Sequence, residues 1–241
     1  MYGLTITLAI IVSVFLAERI IRNEGKNTDV FWGAVFWLLA LGFVGARLYH
    51  VIDRWDIYSQ TPVLILQTWR GGMGIVGGLV GGFLGFTMYL KLRQQSMKRW
   101  LDVAGLCLPL AQAIGRWGNY FNRELLPYAL YESAADMLLF LLLFSIRKRL
   151  KELDGLLFLL YLIGYSVIRF SLEGLRIQPW EAGGVNVAGA ISAIVFLVSS
   201  FIAISLLKAH VREEAVRWFS VSRVLMHILA VVGIAVSLYL T

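Results

Sequence analysis

Seven apolar runs, each close to the length that crosses a lipid bilayer, constrain this chain more than any other feature. A helix rises about 1.5 Å per residue, so roughly 20 apolar residues span the hydrocarbon core. These runs must be helical, because backbone N–H and C=O groups find no other partner in lipid. They cover residues 2–21, 30–52, 72–92, 100–121, 129–147, 155–174 and 184–207, and a shorter run covers 222–240. The sequence therefore predicts an all-α, polytopic membrane helix bundle with seven transmembrane helices and an eighth at the C-terminus.

The composition excludes the soluble classes. Hydrophobic residues make up 59% of the 241 residues and charged residues only 15%, as in integral membrane proteins. The net charge of +7 comes from short basic clusters between apolar runs, which is typical of membrane loops and not of a nucleic-acid surface. The single cysteine, Cys107, excludes an intramolecular disulfide and offers no metal site. We predict one seven-span membrane domain, 1–207, followed by a basic connector and an extra span, 208–241.

Basic residues are concentrated in alternate loops, which indicates how the chain is oriented. Lys and Arg collect in the loops on the cytoplasmic side of a membrane. They are dense after the first, third, fifth and seventh runs and sparser in the loops between. The dense loops hold Arg19, Arg22, Lys26; Lys91, Arg93, Lys98, Arg99; Arg147, Lys148, Arg149, Lys151; Lys208, Arg212, Arg217 and Arg223. We therefore predict an extracytoplasmic N-terminus, with the second, fourth and sixth helices ending on the outer side.

A stripe of polar residues closes the sixth run. Tyr165, Arg169, Glu173 and Arg176 are spaced four, four and three apart, which places them on one face of a helix. Each charge carried into a bilayer costs roughly 2.5–3.5 kcal/mol on insertion scales. Such a stripe is expected to meet an anion or to line a wet cavity, and a lipid phosphate is the simplest anion.

The end of the fourth run holds a second polar segment, 115–124. Gly115 and Gly118 permit close approach of a backbone or a ligand. Arg116 can fork two hydrogen bonds to a phosphate, while Asn119 and Asn122 can bind ester or glycerol oxygens. The alternative is an Arg–Glu pair combined with small-residue packing.

A glycine-rich stretch, 70–82, opens the third run. Its spacing is not that of a phosphate-binding P-loop, since no Gly-Lys-Ser/Thr follows. Tight helix packing through small residues is the main interpretation. Room for acyl chains is compatible with it.

Two aspartates lie inside apolar runs. Asp102 could pair with Arg99 or Lys98 near the inner surface. Asp136, in the fifth run, could pair with a buried arginine, but the sequence names no partner.

Taken in order, these segments resemble the bacterial prolipoprotein diacylglyceryl transferases over residues 2 to 206. The most specific match is Gly115-Arg116-x-Gly118-Asn119-x-x-Asn122-x-Glu124, which is similar to that family's signature. The other matches are Tyr2-Gly3-Leu4, Gly45-Ala46-Arg47, Gly71-Gly72-Met73, Leu130-Tyr131-Glu132, and the Tyr-x-x-x-Arg-x-x-x-Glu-x-x-Arg pattern from Tyr165 to Arg176.

The resemblance implies an enzyme of the bacterial cytoplasmic membrane that needs no cofactor. It implies transfer of diacylglyceryl from phosphatidylglycerol to the lipobox cysteine thiol of a prolipoprotein, with glycerol phosphate released, and therefore signal peptides as partners. Arg116 and Arg169 are expected to bind phosphate, and Glu124, Glu132, Tyr2 and His50 are candidate bases. The predicted catalytic residues are Arg116, Arg169, Glu173, Tyr165 and Glu124. The predicted substrate-binding residues are Tyr2, Arg47, Gly72, Asn119, Asn122, Tyr131, Glu132 and Arg176.

The chain departs from the family's pattern at two places. Val76 stands where many members have a histidine implicated in catalysis. Between Glu124 and Tyr131 the chain has neither the usual extracytoplasmic head nor the histidine of the family's His-Pro-Ser-Gln stretch. Two alternatives follow from these departures: the same lipid donor with a different acceptor, or a catalytically inactive phospholipid-binding relative.

Overall fold

The computed structural model describes residues 2–176, 181–182 and 184–213, together with the single positions 226 and 230. The chain divides into two compact units, one formed by Glu18–Met97 and the other by Met1–Ala17 with Lys98–Thr241. The predicted run 222–240, apart from positions 226 and 230, lies outside the described residues.

Over the described residues the fold is all-α, with one short hairpin. Eight α-helices are present: α1 Tyr2–Asn23, α2 Thr28–Asp53, α3 Trp55–Gln60, α4 Ile75–Leu92, α5 Met97–Phe121, α6 Tyr128–Ile146, α7 Leu156–Leu172 and α8 Val187–Glu213. Short 3₁₀ turns cover Pro62–Ile65, Thr68–Arg70 and Glu173–Leu175, and strands β1 (Glu181–Ala182) and β2 (Val185–Asn186) pair antiparallel. The seven long helices lie at the positions of the seven predicted runs, within three residues at each end, except that α8 ends six residues beyond the predicted end at 207.

Within the described part of the chain, six helices are long and apolar enough to cross a membrane. They are α1, α2, α4, α6, α7 and α8. The predicted fourth span, α5, is not among them, because charged side chains occur near both of its ends. Lys98, Arg99 and Asp102 lie in its first turns, and Arg116 lies near its C-terminus.

In the unit Glu18–Met97, α2 and α4 pack with their backbones in close contact. A side chain on Gly45 would overlap the carbonyl oxygen of Gly77, and one on Gly77 would overlap the carbonyl of Gly45. The same holds for Gly81 against the Leu41 carbonyl. Only glycine permits this approach, so the small-residue packing predicted for the glycine-rich stretch is confirmed.

The glycine-rich stretch also sets where α4 begins. The predicted third span starts at residue 72, but the helix begins at Ile75. Gly71 and Gly72 have φ of +89° and +79°, a backbone conformation that a right-handed helix excludes.

In the other unit, side chains tie α5 to α6 and α7. Ser133 Oγ on α6 donates to the Ala113 carbonyl on α5 at 2.8 Å. Asp102 on α5 accepts hydrogen bonds from the backbone N–H groups of Gly155 and Phe158, at 2.7 and 2.9 Å. These donors are free at the start of α7, so the carboxylate acts as a cap supplied by another helix.

The predicted pairing of Asp102 with Arg99 is therefore wrong. Arg99 instead pairs with Asp154 at 2.8 Å. The carboxylate of Asp102 instead accepts hydrogen bonds from the N–H groups at the start of α7.

The sixth and seventh predicted spans differ from the helices at the segment that joins them. The predicted sixth span runs to residue 174, whereas α7 ends at Leu172 and a 3₁₀ turn takes its place. The predicted seventh span starts at 184, but Val185 pairs with Ala182 and Asn186 with Glu181. The extended hairpin backbone delays α8 to Val187.

Candidate active site

Arg116, near the end of α5, forms a buried ion pair with Glu132 on α6. Its Nη2 donates to Glu132 Oε1 at 2.7 Å, and its Nε lies 2.6 Å from Oε2. The Glu132 side chain is fully buried, whereas 25% of the Arg116 side chain is exposed. Tyr165 on α7 places its hydroxyl 3.5 Å from Glu132 Oε1. A buried carboxylate thus holds Arg116 in place, while part of the arginine side chain stays exposed.

Arg169, on α7, lies between two other side chains. Its Nη1 donates to the Tyr128 hydroxyl at 2.7 Å and forms an i,i+4 ion pair with Glu173. The side chain of Arg169 is 15% exposed and that of Glu173 is 3% exposed. A buried carboxylate again holds an arginine that retains partial access.

Tyr128, at the start of α6, connects the two arginines. The guanidinium carbons of Arg116 and Arg169 lie 5.9 and 5.6 Å from its ring centroid, within cation–π range. Its hydroxyl also interacts with Glu132. Tyr128 is 2% exposed, so both guanidinium groups contact a buried ring.

Beyond Glu173, the contacts reach the hairpin. Arg176 Nη1 lies 3.9 Å from Glu173 Oε1, and Asn186 Nδ2 donates to the same oxygen at 3.3 Å. We call this connected set the buried polar cluster. Its members are Arg116, Tyr128, Glu132, Tyr165, Arg169, Glu173, Arg176 and Asn186.

Helical periodicity brings the buried polar cluster together. Tyr128 and Glu132 are four residues apart on α6, and Tyr165 and Arg169 are four apart on α7, so each pair lies on one face. The predicted stripe 165–176 is confirmed as far as Glu173. Arg176 lies past the helix in extended conformation, yet stays near Glu173.

Other predicted site residues of this unit lie elsewhere. Asn119 is buried near the end of α5, at 4% exposure, and its carbonyl accepts the backbone N–H of Glu124 at 2.8 Å. Asn122, Glu124 and Tyr131 are exposed. The side chain of Tyr2 lies outside the described residues.

Arg47 and Gly72 lie in the other unit, where they form a separate arrangement. The Arg47 side chain donates to the carbonyls of Ile65 (2.9 Å), Gly71 and Gly72 (2.7 Å each), and to that of Leu64. Arg47 is 7% exposed. Its donors are thus committed to the backbone of the loop before α4. A cavity of about 240 Å³ is lined by Arg47, His50, Tyr58, Arg70 and Gly72, among others.

Sequence reasoning missed two members of the buried polar cluster. Tyr128 could have been found, because it precedes Glu132 by one helical turn. Asn186 was missed although Gly183-Gly184 is a two-residue hairpin signal, because the seventh span was predicted to start at residue 184.

Comparison with known proteins identifies the family. The family model of the prolipoprotein diacylglyceryl transferases matches residues 1–205. The chain belongs to the prolipoprotein diacylglyceryl transferase family.

Curated relatives carry the same family name. A phosphatidylglycerol–prolipoprotein diacylglyceryl transferase of Symbiobacterium thermophilum is 37% identical over 228 residues, covering 82% of this chain and 84% of the relative. Proteins of the same name from Finegoldia magna and Staphylococcus aureus strain JH9 are 32% and 33% identical, covering 88% and 82% of this chain and 93% and 81% of the relatives. The resemblance predicted from the motifs is therefore confirmed over most of this transferase-family chain.

Proposed function

We propose that this chain transfers the diacylglyceryl group of phosphatidylglycerol to the cysteine thiol of a prolipoprotein. The observation that carries the proposal is the buried polar cluster, in which the guanidinium carbons of Arg116 and Arg169 lie 5.9 and 5.6 Å from the centroid of the Tyr128 ring. Membership in a family of transferases supports the reaction class.

The reaction breaks one bond and forms one. The thiol sulfur attacks the carbon of the diacylglyceryl group that is bonded to the phosphate oxygen. A C–S bond replaces that C–O bond. The electron pair of the C–O bond stays on the phosphate oxygen, so glycerol phosphate leaves. The thiol proton must go to a base, because the thiolate is the nucleophile.

Arg116 and Arg169 meet the main demand of this reaction, which is stabilising charge on the leaving phosphate. Guanidinium groups match phosphate oxygens in bidentate geometry, and such contacts are strong where water is excluded. In the free protein, Glu132 and Glu173 hold these groups in place. Binding requires each arginine only to turn its exposed edge toward the phosphate. Arg176, 26% exposed, assists at the hairpin side.

Glu124 is the candidate base that we favour. Glu132 is occupied by Arg116, whereas Glu124 is exposed just after α5. Asn119 and Asn122, in the same motif, are assigned to the glycerol oxygens of the headgroup. Tyr131, exposed one residue before Glu132, is assigned to the substrate side of α6.

The site residues agree with one membrane topology. We propose seven spans, with α5 as the fourth despite its charges, and an eighth within 208–241. The basic loops then place the N-terminus outside the cytoplasmic membrane of a bacterium. The ends of α5 and α7 that carry Arg116 and Arg169 face outward, where a translocated signal peptide of a prolipoprotein presents its cysteine.

Turnover in lipid nanodiscs tests the proposal. Purified protein is given phosphatidylglycerol with and without a lipobox peptide, and release of glycerol phosphate is followed. We expect peptide-dependent release, lost in Arg169→Ala and kept in the matched control Arg99→Ala, whose ion pair with Asp154 is 57% exposed on the arginine side.

Two outcomes would replace the proposal. Release without peptide would indicate another acceptor. No release from protein that still binds phosphatidylglycerol would indicate a lipid-binding relative, in line with Val76 and the short connection from Glu124 to Tyr131.

A further inference from the structure

Asp136, on α6 one helical turn beyond Glu132, is the least explained polar residue near the buried polar cluster. Its side chain is fully buried, and neither Oδ1 nor Oδ2 has a hydrogen-bond partner among the described residues. Buried polar atoms without partners are rare in native proteins, and each one needs a physical explanation.

Titratable groups on three helices interact electrostatically with Asp136. They are Glu132 on α6 itself, Arg116 on α5, and Tyr161 and Tyr165 on α7. Arg116 is the cation of this group, and contacts of 2.6 and 2.7 Å already commit it to Glu132. An ionised Asp136 would therefore lie beside a second carboxylate without a donor of its own. Burying such a charge costs several kcal/mol, whereas a protonated carboxyl avoids that cost.

The charge of the buried polar cluster depends on this carboxyl. The cluster contains three arginines and two glutamates, which sum to one positive charge. With a neutral Asp136 nearby that excess remains, and with an ionised Asp136 it is cancelled. The headgroup of phosphatidylglycerol carries one negative charge on its phosphodiester. Only the first state complements that charge.

We propose that Asp136 carries a proton when phosphatidylglycerol binds, and that this proton keeps the cluster cationic enough to hold the phosphodiester. Asp136 is a positioning residue, since it acts through the Arg116–Glu132 pair. The inference deepens the proposed function. It rests on that function only for the identity of the lipid.

The test is binding of phosphatidylglycerol as a function of pH, without any peptide. Wild-type protein in phosphatidylcholine nanodiscs is titrated with phosphatidylglycerol between about pH 6 and about pH 9, a range in which the phosphodiester stays singly ionised. Ionisation of Asp136 within this range is expected to lower the wild-type affinity at least about tenfold, because a new charge in a low-dielectric site repels the headgroup. Asp136→Asn cannot ionise, so its affinity should match the wild type near pH 6 and stay flat. Asp136→Glu should keep the pH dependence.

Asp102→Asn is the matched control. Asp102 is also a carboxylate on an apolar helix, but it caps α7 through Gly155 and Phe158. Its loss is expected to leave the pH slope of the folded protein at the wild-type value.

Three results would overturn the inference. One is a wild-type affinity that rises with pH over this range, which decides the matter even if no variant folds. Another is the same slope in Asp136→Asn as in the wild type. The third is tighter binding by Asp136→Asn at every pH, which would mean that Asp136 is ionised throughout. Since no peptide is present, binding with this pH profile but without transfer would contradict the proposed function and leave the inference on Asp136 standing.

Discussion

Each unit of this protein contains a largely enclosed arginine from the sequence motifs, and the two arginines have different partners. Arg47 donates to backbone carbonyls of the loop before α4, from Leu64 to Gly72. Arg169 donates to the side chains of Tyr128 and Glu173. A carbonyl cannot leave its arginine unless the loop unfolds, whereas a side chain can rotate away when a phosphate arrives. The contacts show that Arg47 holds this loop in shape, whereas ligand binding by Arg169 is our proposal.

The same contrast applies to exposure. Arg47 is 7% exposed as a residue, whereas the side chains of Arg169 and Arg116 are 15% and 25% exposed. An arginine that binds an anion needs an open edge, and one that clamps a loop does not. Substitutions that separate stability from turnover can therefore test the comparison.

The largest expected effect is that of Arg169→Ala on turnover. Loss of a positioned donor to a leaving group typically costs about 10²–10³-fold in rate, or roughly 3–4 kcal/mol. Folding should persist, because Glu173 keeps contacts to Arg176 and Asn186. The measurement is glycerol phosphate release, with Tm in detergent measured in parallel. Full activity in Arg169→Ala would remove this arginine from the site.

Arg47→Ala comes next, and its effect should fall on stability. It leaves up to four carbonyls without their donor, and a buried acceptor without a partner costs about 1–3 kcal/mol. We expect a loss of roughly 3 kcal/mol or more, seen as a lower Tm. Arg47→Lys should not rescue it, because one ammonium cannot reproduce the guanidinium fork. An unchanged Tm with weakened phosphatidylglycerol binding would instead support the substrate-binding role predicted from the sequence.

The sequence predicted the helices and the stripe around Arg169 well, and the environments of Arg47 and Arg116 poorly. Run lengths near 20 residues placed the seven long helices, because the bilayer itself fixes that length. Four-residue spacing likewise placed Tyr165, Arg169 and Glu173 together. These features depend on local periodicity, which the sequence displays directly.

What the sequence could not predict depends on contacts between distant residues. Arg47 and Arg116 occur in similar glycine-containing motifs, yet one binds carbonyls and the other binds Glu132. The loop 61–74 supplies the partners of Arg47, and α6 supplies the partner of Arg116. No spacing rule in the sequence links either element to its arginine. Asp102 was predicted to pair with the nearby Arg99 or Lys98 for the same reason, while its actual donors are more than 50 residues away.

Tyr128→Phe is expected to have a smaller effect. The ring and its cation–π contacts remain, but Arg169 loses the hydroxyl that accepts its Nη1 hydrogen bond. A hydrogen bond to a charged group contributes about 1.5–3 kcal/mol, and the remaining Glu173 contact should limit the loss to roughly tenfold in kcat/KM. Tyr120→Phe, an exposed tyrosine of α5, is the control. Equal activity of both variants would show that Tyr128 only packs.

Arg99→Ala should have the smallest effect of these substitutions, because Arg99 is the most exposed of the arginines compared. Arg99 also pairs with a carboxylate at 2.8 Å, but its side chain is 57% exposed and that of Asp154 is 31% exposed. Water screens such pairs, which typically contribute no more than about 1 kcal/mol. We expect a small change in Tm and wild-type turnover. A large loss of turnover would mean that ion pairing alone, without burial next to a second guanidinium, is enough to make an arginine of this chain essential. The distinction between Arg47 and Arg169 would then need another physical basis.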